Sequence, residues 1–289
     1  FSLYNIKDMY RLLVFLILFF SPTVAFAESS ADIAYCSKSE ECREQRWLEL
    51  KQSVFGDKEI KSGDGVIMLN TPKRAPDGAF VPLNFKTVEL KNDHVSKIHL
   101  VIDMNPSPYS GAFTFTNKIN KIDLSTRIRL DAYSHVRVIA ETKKGEYFMA
   151  ANFVKASGGC AAPPLGDMAS MIANAGKMKV KLKNNEDNVV NAKIMIQHPQ
   201  FNGLQTNPVT TAMIEAFYIE KINVTYDNEV LMSLVSDISI SQDPTFRFNF
   251  PTNKGGKLKI TANDTDGKEY TFSKEYAYKN NQLIEIASK

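Results

Sequence analysis

Residues 97–103 read KIHLVID, a short run rich in β-branched side chains in which Ile98 and Leu100 alternate with Lys97 and His99. A period of two sends alternate side chains to opposite faces, which is the mark of a half-buried strand. On that reading Ile98 and Leu100 point into a core and His99 faces solvent.

The same pattern extends in both directions. Residues 66–69, 80–83, 111–116, 128–130, 135–141 and 148–154 are equally short and β-rich. Turn chemistry separates them at Pro76-Asp77-Gly78, Asn105-Pro106-Ser107-Pro108 and Lys144-Gly145. Short strands at this spacing predict an antiparallel sandwich of immunoglobulin-like type. After residue 176 the pattern resumes at 177–182, 192–197, 217–226, 229–235, 246–250, 257–262 and 269–272, with hairpin turns at Asp227-Asn228 and Asp266-Gly267. The expected fold class is therefore all-β: two immunoglobulin-like β-sandwich domains, residues 28–156 and 177–289, with a short N-terminal helix. Each half exceeds 100 residues, enough for its own core.

The helix is predicted over residues 44–55 (EQRWLELKQSVF), where Trp47, Leu50, Val54 and Phe55 recur at helical spacing before Gly56. Upstream, residues 12–20 (LLVFLILFF) form an apolar run too short to span a bilayer, which needs about 20 residues. Arg11 precedes it, Ser21-Pro22 breaks it, and Ala25-Phe26-Ala27 offers the small-x-small pattern cut by signal peptidase. Met9 reads as the start, residues 1–27 as a signal peptide with an upstream extension, and the bacterial periplasm as the destination. No membrane attachment is expected after cleavage.

Composition narrows the function. With 35 basic and 32 acidic residues the net charge is +3, too balanced for a nucleic-acid binder that works through bulk charge. Four histidines and three cysteines leave little for a metal centre. No nucleophile elbow, zinc-protease motif, P-loop or dinucleotide fingerprint is present, so no catalytic, cofactor-binding or metal residue is assigned and no enzyme is expected. His198, at the end of KIMIQHP, reads as a hydrogen-bonded loop histidine, and NDTDG (263–267) as a β-turn rather than a calcium loop. A metal or redox pair of Cys160 with His198 would lack a third ligand.

The cysteines carry the sharper signal. In an oxidising compartment, Cys36 and Cys42 in CSKSEEC predict a small disulfide loop, which leaves Cys160 unpaired. Cys160 lies in SGGCAAPPLGD (157–167), a non-periodic stretch within the linker 157–176. Gly158 and Gly159 provide a slim, permissive backbone before the thiol. Flanking glycine and proline do not look like a core strand, so the spacing favours an exposed, reactive thiol on a swivel over a buried one. No histidine or lysine adjoins it in sequence to lower its pKa.

A family resemblance follows from motifs in order along most of the chain. RWLELKQSVFGD (46–57), PKRAPDGAFVP (72–82), IDMNPSP (102–108), STRIRL (125–130) and VKASGGC (154–160) resemble SoxY, a periplasmic sulfur-carrier subunit. IMIQHPQFNGL (194–204), AFYIEKINVTYDNEVL (216–231), SISQDPTFRFNF (239–250) and NDTDGKEY (263–270) resemble SoxZ, its immunoglobulin-like partner. The whole is similar to a fused SoxYZ-type carrier of the group associated with quinoprotein dehydrogenases. The resemblance implies a non-enzymatic carrier with Cys160 as the covalent attachment point, Gly158 and Gly159 as the swivel, no cofactor, and intramolecular pairing of the two sandwiches. Implied partners are periplasmic sulfur-processing or quinoprotein dehydrogenase-linked proteins. The alternative is an accessory interaction module for a quinoprotein alcohol dehydrogenase or its electron-transfer chain, with the cysteine carrying no cargo. Two departures limit the likeness: Ala161 and Ala162 stand where the family has glycines, and the cysteine arm is followed by the second half instead of ending free.

The cysteine reading is checked by intact mass. On reduction the protein should gain two hydrogens from one disulfide; any further change reports a reducible group on Cys160.

Overall fold

The alternating runs become strands of two stacked sheets. The computed structural model describes residues 36–185, 188–280 and 282–286; the expected signal peptide, 1–27, lies outside the described residues. Among them no helix is long and apolar enough to cross a membrane.

Helix α1, Glu40–Phe55, begins upstream of the predicted start because Ser39 caps it, its Oγ accepting from the Cys42 N–H at 3.3 Å. Glu40 and Glu41 in the first turn oppose the positive end of the helix dipole. Gly56, at φ +61°, stops it with its N–H donating to the Gln52 carbonyl. Eight strands follow: β1 (Ile60–Ser62), β2 (Ile67–Asn70), β3 (Val81–Thr87), β4 (Val95–Ile102), β5 (Tyr109–Phe115), β6 (Asp123–Ile128), β7 (Ser134–Thr142) and β8 (Tyr147–Val154). A short helix α2 (Met168–Ala173) precedes β9 (Met178–Asn184), β10 (Val189–Ile196), β11 (Ile219–Tyr226), β12 (Glu229–Ser236), β13 (Thr245–Pro251), β14 (Gly256–Asp264), β15 (Glu269–Lys279) and β16 (Gln282–Glu285).

The all-β, sandwich reading with a helix near its start holds. The sheets, however, do not stop where the halves meet. One sheet runs β1-β8-β7-β4-β5-β12-β11-β14-β15-β16 and the other β2-β3-β6-β13-β10-β9. β5 pairs antiparallel with β12, Phe113 opposite Leu234, and β6 pairs with β13, Leu124 opposite Phe248. A single apolar core therefore extends from Val81, Leu83 and Phe85 to Val224, Leu258 and Ile260. Phe113 sits at the seam, edge-on to Phe85 at 6.0 Å and to Phe246 at 6.1 Å. Period-two patterning tells which face of a strand is buried, but not which strand lies beside it.

β4 corrects the expectation for His99. Ile98 to Ile102 are all buried, because one face of β4 meets the sandwich core and the other lies under α1. His99 stacks edge-on against Phe55 at 5.2 Å, with Nδ1 2.8 Å from the Tyr109 hydroxyl and Nε2 2.9 Å from Glu141 Oε2. Burial lowers its pKa against the opposing pull of Glu141. On the same face Arg137 lies 4.1 Å from the Trp47 ring centroid and forks onto Asp103 at 2.8–3.0 Å.

Predicted strand 128–130 is displaced, since β6 ends at Ile128 after Leu124, Thr126 and Ile128 alternate inward. β1, β16 and the last part of β15 have no counterpart in the sequence reading, because these edge segments are mostly polar and exposed.

Phe113→Ala should cost about 3–5 kcal/mol, the range for truncating a buried aromatic. Because the core is shared, both halves should unfold in one cooperative transition in denaturant. Two separate transitions, in wild type or variant, would contradict a continuous core.

Candidate functional site

The connector that carries Cys160 leaves β8 and is bound to both halves of the molecule. Lys155, just past β8, forms a parallel bridge with Arg74; its N–H donates to the Lys73 carbonyl and its carbonyl accepts from the Ala75 N–H. Lys73, Arg74 and Lys155 flank Asn152 and Phe153 in an open groove of about 550 Å³ beside the root of the connector. Farther along, the Gly158 N–H donates to the Asp131 carbonyl at 2.8 Å and the Gly159 N–H to that of Leu130 at 2.9 Å.

The two glycines have different roles here. Gly158 turns the chain at φ +72° with open space around it. Gly159 passes so close to the Gly78 backbone that a Cβ would lie 2.0 Å from the Gly78 oxygen. In this arrangement Gly159 is a packed contact, and of the predicted swivel pair only Gly158 has room around it.

Cys160 is free and fully buried. This corrects the expectation of an exposed thiol. Glycine and proline mark a loop, but a slim loop can lie deep when side chains satisfy its backbone. Those side chains come largely from the second half. Asn202 Nδ2 donates to the Cys160 carbonyl at 2.7 Å, and Gln205 Nε2 to that of Ala162 at 2.8 Å. Gln242 both donates to the Leu165 carbonyl and accepts its N–H. Arg129, at the end of β6, donates to the carbonyls of Gly159 (3.1 Å) and Gln200 (3.3 Å). None of these residues was singled out for a role from sequence. Their signal was present but faint: Arg129 lies in STRIRL, and Gln200 and Asn202 lie in IMIQHPQFNGL.

The electrostatics favour a neutral thiol. Burial, then Asp131, push the Cys160 pKa up to about 12, and Arg129 opposes them. Burial raises the Asp131 pKa, while the Cys160 backbone N–H favours its ionised form. The docked sulfur is thus a poor nucleophile.

The other predicted residues fall elsewhere. Cys36 and Cys42 form a disulfide at the start of α1. His198 is a buried loop residue: its Nδ1 accepts from the Gln200 N–H, its ring lies 4.4 Å from that of Phe217, and burial pulls its pKa down to about 4. The NDTDG turn is closed by Asp264, which accepts from the N–H groups of Asp266 and Lys268 and from the Tyr270 hydroxyl. Among the described residues, no three His, Cys, Asp or Glu side chains gather as a metal site.

These features define a two-sheet β protein whose unpaired thiol is held on a glycine-led connector between its halves. Residues 51–160 match the family of sulfur oxidation protein SoxY, and residues 178–275 that of sulphur oxidation protein SoxZ. The chain is a SoxY–SoxZ fusion, a carrier-type protein of sulfur oxidation. The structure of the sulfur carrier protein SoxY from Chlorobium limicola f thiosulfatophilum is 21% identical, covers 44% of this chain and 100% of its own, and superposes with a TM-score of 0.34. The fibronectin(III)-like modules of Clostridium thermocellum CbhA are 14% identical, with 74% of this chain and 94% of theirs covered and a TM-score of 0.21. No curated protein matches the chain.

The buried thiol makes a kinetic prediction. Native Cys160 should react with iodoacetamide at pH 8 about a thousandfold slower than a free cysteine of ordinary pKa, since each pKa unit removes tenfold of thiolate. Its rate should climb about tenfold per pH unit up to pH 10. Gly159→Ala, which displaces the connector, should speed labelling sharply; unchanged slow labelling would contradict the docked geometry.

Proposed function

We propose that this protein is an exported, non-enzymatic carrier that holds a sulfur intermediate as a covalent conjugate of Cys160 and presents it to sulfur-oxidation enzymes in the periplasm. The observation that carries the reading is the position of the free thiol. Cys160 is the last residue of the SoxY match, on a connector docked mainly through hydrogen bonds. Net hydrogen bonds contribute about 0.5–1.5 kcal/mol each. Releasing the connector then costs on the order of a few kcal/mol, within reach of partner binding. Sequences 28–156 and 177–289 act as carrier and companion halves, with 157–176 as the moving part and the cross-half strand pairing as a fixed base.

Both ends of this connector are tethered, so the thiol can leave its seat only as a bulging loop. A partner must offer an open cleft, because a closed tunnel would need a free chain end. Gly158, with its open surroundings, is the natural hinge.

The burial of the thiol favours a second reading, an accessory module for a quinoprotein alcohol dehydrogenase in which Cys160 bears no cargo. Mass spectrometry of protein isolated from its native compartment separates the two. The carrier predicts a sulfur adduct on Cys160 and loss of function in Cys160→Ala. A thiol that stays unmodified under all growth conditions, with a functional Cys160→Ala protein, supports the accessory module and overturns the carrier.

A further inference from the structure

Two arginines of the first half are buried, and the fold treats them differently. Arg137 meets the Asp103 carboxylate through a fork of three contacts at 2.8–3.0 Å. Arg129, only 2% exposed, has no carboxylate within 4 Å among the described residues. Its backbone is pinned on both sides, the N–H donating to the Ser239 carbonyl and the carbonyl accepting from Asn105 Nδ2. The guanidinium cannot easily retreat to solvent. It spends two donors on the carbonyls of Gly159 and Gln200, and its Nε has no hydrogen-bond partner. Asp77 acts on it only through space, outside ion-pair distance, and a buried cation hydrogen-bonded to neutral oxygens alone is unfavourable, which leaves room for a closer anion.

The group placed to supply that anion is the Cys160 sulfur. Arg129 grips the carbonyl immediately before it and favours negative charge on the sulfur, while burial and Asp131 act against that charge; Arg129 is the cation that offsets them. The free thiol is neutral and offers no charge. We propose that Arg129 is the counter-ion for a negatively charged sulfur terminus borne by Cys160, so that the docked connector seats the loaded carrier more firmly than the unloaded one. This rests on the carrier reading and adds a charge requirement to it. The seat excludes solvent around the sulfur, so the smallest such group, a persulfide, is the first candidate. The next residue, Ala161, is already exposed, which lets the cover over the seat adjust outward.

Charge can be separated from size with two adducts. Methyl methanethiosulfonate converts the thiolate to a methyl disulfide, with methanesulfinate leaving as the S–S bond forms. Hydrosulfide attack on the Cys160 sulfur then forms a new S–S bond as the bond to the methylthio sulfur breaks. Methanethiolate leaves, takes up the hydrosulfide proton as methanethiol, and a persulfide anion remains on Cys160, the intended product being identified by mass. The two adducts are similar in size and differ in charge.

Hydrogen–deuterium exchange of residues 157–165 is then compared in the full-length mature protein. The persulfide form should be protected about tenfold or more over the methyl disulfide form, as expected for charge-assisted hydrogen bonds. Arg129→Gln should abolish that difference and Arg129→Lys should keep much of it. Equal protection of the two adducts in wild type overturns the proposal without requiring any variant to fold. A difference that survives in Arg129→Gln overturns it as well. Because loading is chemical, the result stands apart from whether Cys160 carries sulfur in the cell.

Discussion

The antiparallel pairing of β5 with β12 is the interaction on which the rest of the structure depends. It carries the ten-stranded sheet from one half to the other, while β6 and β13 do the same for the sheet stacked on it. Sheet pairing leaves no slack, because a one-residue slip would turn every inward side chain outward. The seam therefore fixes the distance and orientation between Arg129, in the first half, and Gln200, Asn202 and Gln205, in the second. The seat for the connector exists only because the halves share a core.

That arrangement sets the character of the thiol. The connector lacks large apolar anchors around Cys160, so its place is held by side-chain hydrogen bonds to backbone groups. Such bonds are individually weak and reversible in water. They keep the thiol protonated and hidden without welding it in place. The glycines shape this path: Gly159 permits the close passage against Gly78, and Gly158 turns the chain at φ +72° with open space around it. The contrast between Arg137 and Arg129 belongs to the same logic. The arginine far from the thiol is paired with Asp103, and the one beside it hydrogen-bonds only to carbonyls, with Asp77 acting through space.

Much of this was legible beforehand, for definable reasons. Ile98 and Leu100 alternate with polar neighbours, and the strand is where that pattern puts it. Cys36 and Cys42 are close enough in sequence for a local disulfide. Of Trp47, Leu50, Val54 and Phe55, which recur at helical spacing, Trp47, Leu50 and Phe55 form the packed side of α1 and Val54 is exposed. His99 is buried, not solvent-facing as its alternation implies, because α1 covers the second face of β4, and no local pattern reports what packs on a strand from outside. β16 leaves no signal in the sequence, because an edge strand of mostly exposed residues carries no alternation.

The sequence by itself determined the β class, the helix with its Gly56 stop, the disulfide, and the position of one unpaired cysteine in a glycine-led connector. These follow from local chemistry: side-chain periodicity, backbone freedom and short loop closure. Only the tertiary structure decided that the sheets run through both halves, that Cys160 is buried, and that Arg129 lies beside it without an ion-paired carboxylate. Each of these depends on residues far apart in the chain meeting across a shared core, and strand partners are chosen by packing that no single stretch of sequence contains.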